Sequence, residues 1–306
     1  MSESATETSP EQQTNVSSAV GDDTKSPPSF LFQNQPYLQD LLLKPLLNSR
    51  ARIDEVKIRR LYLQAASQQW YAPSKVNYES PHGFDEESRR VWAKFHMIFY
   101  TLEQMGLNVI SNMMVKAVRK LHSEELGYYL AAQCYDESRH VFAIKSYLKK
   151  LGEEPRYQKR LHVLGQVASM GLYRVENWLF STLFSENFAS CFLRRARQAK
   201  IDTTGNELCK YLLIDESRHI HFLHIVLPDL LDRMSLLGRS YVQLSQFFIM
   251  KFTERVSRTL EDDAVIVGLD RRALLEDVFE NIERSYATLG IRGNFVPFPK
   301  LTKTPA

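Results

Sequence analysis

The chain has 306 residues, 44% hydrophobic and 25% charged, with 39 Lys and Arg against 36 Asp and Glu for a formal net charge of +3. This is the composition of a globular protein long enough to bury a sizeable core, and its basic residues are spread too evenly for a nucleic-acid footprint. Cys134, Cys191 and Cys209 are too few and too far apart to suggest a disulfide framework, and no apolar run reaches the roughly 18–20 residues of a membrane span.

With no signal-peptide pattern at the N-terminus, a cytoplasmic protein is expected. Residues 1–28 are rich in Ser, Thr, Glu and Gln and contain no aromatic residue, which predicts a disordered tail. From 29 to 290 the apolar period is helical almost throughout, with no internal domain boundary. Short helices are predicted at about 35–48 and 51–70. A long helix follows at about 85–120, opened by Asp85 as N-cap ahead of Glu86 and Glu87. The second long helix, 124–150, starts in the same way after Ser123 and stops at Gly152 and Pro155. A short helix at 156–168 precedes long helices at 170–200 and 205–227, the last opened by Thr204-Gly-Asn-Glu207 in capping-box form. Helices at 238–262 and 269–288 complete the series, and residues 291–306 read as an extended tail. Four long helices with short connections predict an all-α fold, an antiparallel four-helix bundle with additional flanking helices.

The sequence Asp-Glu-Ser-Arg-His occurs twice, at 136–140 on the second long helix and at 215–219 on the fourth. In each copy Glu and His stand at i and i+3, neighbours on one helix face, where they can form a two-toothed metal claw. Both pairs, Glu137/His140 and Glu216/His219, lie on the apolar stripe, where an unpartnered carboxylate costs several kcal/mol. A third Glu-x-x-His, Glu79-Ser-Pro-His82, contains a proline in a loop-like setting and is set aside. Glu103 is the one acid on the apolar row of the first long helix, and Glu186 is central on the third. Glu103 precedes Glu137 by 34 residues and Glu186 precedes Glu216 by 30. Glu176 shares the row of Glu186 and is the other third-helix candidate. Four carboxylates balance two divalent ions, and hard oxygens with two imidazoles and no thiolate suit iron or manganese. The plainer reading is a buried salt-bridge network with Arg139 and Arg218, but the duplicated context favours metal. His96 reads as a core-edge residue, His221 and His224 as partly exposed, and Cys134 as structural or cavity-lining. Tyr100, Phe99, Phe142, Phe180, Phe184 and Phe188 could wall an apolar pocket.

A glutamate from each of two helices and Glu-x-x-His from two more resembles the di-iron carboxylate arrangement of the ferritin-like superfamily. The Asp-Glu-x-Arg-His form is similar to its oxygen-activating branch: ribonucleotide reductase small-subunit-like oxidases, bacterial multicomponent monooxygenases and arylamine N-oxygenases. The resemblance covers about residues 85–227 and implies a non-haem dinuclear iron oxygenase or oxidase. Its metal ligands would be Glu103, Glu137, His140, Glu186, Glu216 and His219, holding two iron ions or a manganese–iron pair. It also implies that Asp136 holds His219 and Asp215 holds His140, with Arg139 and Arg218 completing the surround. Two positions depart from relatives. Ile144 stands where the reductase subunit has its radical tyrosine, and Leu212 stands where arylamine N-oxygenases have a third histidine. The expected partners are dioxygen, a small organic substrate to be hydroxylated, N-oxygenated or desaturated, and an external ferredoxin or reductase, since no nucleotide fingerprint is present. A homodimer is expected. A ferritin-like ferroxidase and a radical-generating subunit are the alternatives.

Overall fold

The computed structural model describes residues 53–168 and 174–291. The predicted helix at 35–48, the predicted N-terminal tail and all of the predicted C-terminal tail after residue 291 fall outside these residues. The described residues form ten helices and no strand: α1 (Glu55–Ser67), α2 (Ala72–Lys75), α3 (Glu86–Leu121), α4 (Glu124–Lys150), α5 (Lys159–Ala168), α6 (Val175–Gln198), α7 (Thr203–Arg233), α8 (Leu236–Arg258), α9 (Glu261–Ile266) and α10 (Arg271–Thr288). The all-α fold class expected from periodicity is what the chain adopts.

Local chemistry sets the boundaries. Asp85 accepts a hydrogen bond from the Ser88 amide at 2.7 Å and Ser123 accepts one from Leu126 at 3.3 Å, so α3 and α4 begin at their expected caps. Between them lie only His122 and Ser123. His122 takes the left-handed conformation (φ 52°) that reverses the chain, so α3 and α4 run antiparallel. The capping box expected at Thr204 is not formed. Asp202 caps α7 instead, accepting from the Gly205 amide at 2.7 Å, while the Thr204 hydroxyl donates to the Asn77 carbonyl and Glu207 accepts the Asn77 amide. These contacts pin the loop after α2 to the start of α7. Nor does α7 stop before Pro228. It continues to Arg233 because Asp229, Leu230 and Leu231 carry its buried face onward. The segment predicted as one helix over 238–262 is two, α8 and α9.

α3 packs mainly on α4 and α6 on α7, and the two hairpins meet through α3–α6 and α4–α7 contacts. α1 lies across α4 and α7, while α8 and α10 cover α6. Trp92, Tyr129, Phe180, Leu130, Leu148 and Phe222 are each 2% exposed or less, and burial of such side chains contributes about 1.5–3 kcal/mol apiece. This apolar packing offsets the cost of the polar centre.

Candidate metal centre

Each bundle helix brings its acid to one level. α3 supplies Glu103, α4 Glu137 and His140, α6 Glu186, and α7 Glu216 and His219. The carboxylates are 1–6% exposed and both imidazoles 0%. His140 Nδ1 lies 3.1 Å from Glu103 Oε2, 3.5 Å from Glu216 Oε1 and 4.0 Å from Glu137 Oε2. His219 Nδ1 lies 3.3 Å from Glu216 Oε2, 3.5 Å from Glu186 Oε2 and 3.7 Å from Glu137 Oε1. Two groups result, Glu103/His140/Glu216 and Glu137/Glu186/His219, each offering one donor atom per residue within 4.8 Å of the others.

This grouping alters the claw expected from sequence. Residues at i and i+3 diverge by about 60° around a helix, and each motif glutamate reaches the other motif's histidine as well as its own: Glu216 lies 3.3 Å from His219 and 3.5 Å from His140, Glu137 3.7 Å from His219 and 4.0 Å from His140. Glu137 and Glu216 therefore stand between the two imidazoles. Glu176, the alternative to Glu186, lies in the first turn of α6, where it pairs with Lys120 and takes no part. His82 also lies apart, its Nδ1 accepting from the Phe84 amide.

Behind the ligand groups sits a closed box of charges. Asp215 Oδ2 accepts from Trp70 Nε1 at 2.8 Å, Arg139 Nη2 at 2.8 Å and His140 Nε2 at 3.1 Å; its Oδ1 accepts from Arg218 Nη2 at 2.7 Å. Asp136 Oδ1 accepts from Arg139 Nη2 at 2.6 Å, and its Oδ2 accepts from Arg218 Nη2 at 2.6 Å and faces His219 Nε2 at 3.4 Å. Two guanidiniums thus neutralise two aspartates, and each aspartate fixes the imidazole of the other hairpin. Once Nδ1 gives up its proton in favour of a cation, the aspartates favour the neutral tautomer protonated on Nε2, with the Nδ1 lone pair facing the carboxylate side.

The inner cluster is short of positive charge. Burial, then Glu103 and Glu186, hold the Glu137 carboxyl well above its usual range, and burial with Glu186 raises Glu216 to about 8. Burial opposes protonation of both histidines. Asp215 and Glu103 outweigh it at His140, and Glu186 and Asp136 at His219, so both stand well above 6.5. His219 Nδ1 and Glu216 Oε2 are buried without a hydrogen-bond partner. Orphaned donor atoms in a cluster of four carboxylates and two imidazoles fit a pair of hard divalent cations, which would supply the missing charge.

An apolar cavity of about 300 Å³ opens on this cluster, touching Glu103, Glu137 and Glu186 but neither histidine nor Glu216. Phe99, Phe184 and Phe188 line it, as the aromatic pattern suggested; Tyr100, Phe142 and Phe180 do not, and Phe142 is 50% exposed. α8 contributes Ile249, Phe252 and Val256, which sequence reading left unassigned. Gly106, one turn after Glu103, gives Glu137 its room: a Cβ there would lie 3.2 Å from Glu137 Oε2. Mid-helix glycine on the ligand row was the available signal. Gln133, one turn before Glu137, donates to Glu186 Oε1 at 3.3 Å. His96, expected at the core edge, is instead fully buried, donating from Nδ1 to the Trp92 carbonyl at 2.9 Å. His221 is exposed and His224 half-buried. Cys134 is half-buried beside Ser111 and away from the cavity.

A family model described as P-aminobenzoate N-oxygenase AurF matches residues 86–288. Among solved structures, a single-residue mutant of an R2-like ligand-binding oxidase with aerobically reconstituted Mn/Fe cofactor is similar, with 14% identity and a TM-score of 0.60 over 76% of this chain and 93% of that one. A long-soak structure of an R2-like ligand-binding oxidase with the same cofactor gives 14% identity and a TM-score of 0.58 over 76% and 92%. At that identity the likeness is one of fold. No curated protein matches the chain.

Proposed function

Because the chain belongs to the P-aminobenzoate N-oxygenase AurF family of ferritin-like di-iron proteins, we propose that it is an oxygenase that hydroxylates, N-oxygenates or desaturates a small organic substrate, with Glu103, Glu137, His140, Glu186, Glu216 and His219 as its metal ligands. The observation that supports this best is the convergence of those six buried side chains, from four helices, into two carboxylate–imidazole groups beside an apolar cavity. The bound metal pair would supply the electron transfer to dioxygen that organic side chains cannot.

The chain's own residues set the conditions. With a cation at Nδ1, Asp215 and Asp136 would hold the remaining protons of His140 and His219 on Nε2, away from the ligand side. The carboxylates that reach the cavity, Glu103, Glu137 and Glu186, form the face a substrate would meet, while the histidine side is closed by the charge box. Phe99 and Phe184 exclude water from that face. Leu212 and Ile144 are both buried and apolar, so the proposed ligand set stops at two imidazoles and no tyrosyl radical is assigned. An iron pair is the proposed loading, with manganese–iron as the competing one. Electrons would come from a separate ferredoxin or reductase, and the enzyme would act as a homodimer.

Metal content and oxygen uptake test this reading together. After anaerobic loading with ferrous iron, the protein should retain about two ions per chain and consume oxygen, and a Glu137→Ala/Glu216→Ala variant should do neither. Failure of the folded wild-type protein to retain any transition metal would end the proposal.

A further inference from the structure

The cavity is electrically polarised. Its three acids, Glu103, Glu137 and Glu186, all belong to the metal cluster, and among its described lining residues the one basic side chain is Arg271, at the start of α10. Arg271 is 8% exposed, and its Nη1 is buried without a hydrogen-bond partner. Its Nε lies 3.2 Å from Glu261 Oε2, a carboxylate on the more exposed α9, but without hydrogen-bond alignment. The other nearby acid, Asp270, is engaged in capping α10, accepting the Ala273 amide at 2.9 Å. Arg139 and Arg218 also keep an unpaired buried nitrogen, but each is held by aligned bonds to two aspartates at 2.6–2.8 Å. Arg271 has only the one misaligned carboxylate and lines a cavity, where an unmade hydrogen bond from a charged donor is costly.

The position of Arg271 is set by the same short helix. α9 holds Arg271 through Glu261 and is itself tied to α3 by the pair Asp263–Lys94. Lys94 stands nine residues before Glu103 on α3, about 13 Å along the axis. The guanidinium thus belongs to the α9 end of the cavity, well separated from the cluster, and the wall between is apolar: Phe95, Phe99 and Leu102 on α3, Val256 and Leu260 on and just after α8. The N-terminus of the 18-residue α10 adds its dipole to the same end.

We propose that the cavity binds an elongated apolar monocarboxylate, its carboxylate held by Arg271 and its hydrocarbon body running toward Glu103, Glu137 and Glu186. A guanidinium offers a carboxylate the planar donor pair that Glu261 does not fully occupy. For the oxygenase reading, on which its catalytic meaning rests, the consequence is regiochemical: oxidation falls at the end of the substrate remote from the acid.

The test is calorimetric binding of decanoate and of decan-1-ol, which has the same chain and no charge, to purified metal-free protein and to ferrous-loaded protein under nitrogen. Wild-type protein should bind decanoate at least tenfold more tightly than decan-1-ol, in keeping with a charge-assisted hydrogen-bonded pair. Arg271→Gln should bind the two alike while keeping the wild-type affinity for decan-1-ol, which shows the cavity intact, and Arg271→Lys should restore part of the preference. Equal binding of acid and alcohol by the wild-type protein overturns the proposal without recourse to any variant. An undiminished acid preference in Arg271→Gln overturns it too. Because these measurements need neither metal nor turnover, a protein that prefers decanoate but retains no metal would sustain this assignment and remove the oxygenase reading.

Discussion

Asp215→Asn isolates what the charge box does, because it removes a charge and an acceptor while keeping the shape. Asp215 accepts from Trp70, Arg139, His140 and Arg218 at 2.7–3.1 Å and is fully buried. The amide of Asn has a single oxygen, so it can answer only some of these donors, and its NH2 must face others. Arg139 and Arg218 would then share the one remaining aspartate, Asp136, leaving a net positive charge in the interior. Breaking a buried ion pair on one side costs about 3–5 kcal/mol, whereas loss of a single neutral hydrogen bond costs about 1 kcal/mol. The box predicts the larger figure, measured by urea denaturation of the metal-free protein. A second readout is retention of ferrous iron against a competing chelator, which should fall about 10–100-fold although no ligand is removed, since His140 loses the acceptor that fixes its tautomer. A loss under 1 kcal/mol together with unchanged iron retention would show that the box is ornamental and refute the reasoning.

Three further outcomes follow from the same geometry. Gly106→Ala should raise the stability of the metal-free protein by up to about 1 kcal/mol through helix propensity, yet lower iron affinity about tenfold, because its Cβ would sit 3.2 Å from Glu137 Oε2 and push a ligand by more than the ~0.2 Å a metal site tolerates; a gain in stability with affinity intact would remove any role for the glycine. His96 is held down to about 4 from 6.5 by burial, so the folded protein keeps it neutral while the unfolded chain protonates first. Its contribution is therefore full above pH 6.5, declines by about 3 kcal/mol as pH falls to 4 and is flat below that. The stability difference between wild type and His96→Leu across that window checks it, and a pH-independent difference would contradict it. Glu176→Gln should cost less than about 1 kcal/mol and leave metal content unchanged, because its partner Lys120 is 40% exposed; loss of metal would return Glu176 to the ligand set.

The parts of this architecture that sequence revealed are those governed by local rules. The helical period and the caps at Asp85 and Ser123 marked α3 and α4 closely, and the duplicated motif marked the residues that the bundle then gathers. What sequence could not separate was Glu176 from Glu186, because residues ten apart share a helical face while differing by about 15 Å in height. Nor could it show that each motif glutamate comes to stand between both histidines, since that depends on how α4 and α7 face one another. Thr204 misled because its hydroxyl matched a capping pattern, but in the fold it serves Asn77 and leaves the cap to Asp202. Trp70 and Arg271 gave no local signal at all. One ends beyond α1 and the other begins α10, unremarkable places for a tryptophan and an arginine, and both acquire meaning only from the helices they are folded against.

The crossed braces also bear on how the molecule assembles. An Asp and an Arg three residues apart can pair within their own helix, but only docking of the second hairpin completes the square and gives each imidazole its acceptor. Half of the molecule, formed alone, would expose two charges and a histidine that have no apolar face to settle on, so it gains little until the other half arrives. The centre therefore acts as a latch between hairpins: it rewards simultaneous docking and penalises partial structures, and the bundle should open and close as one cooperative unit before any metal is present.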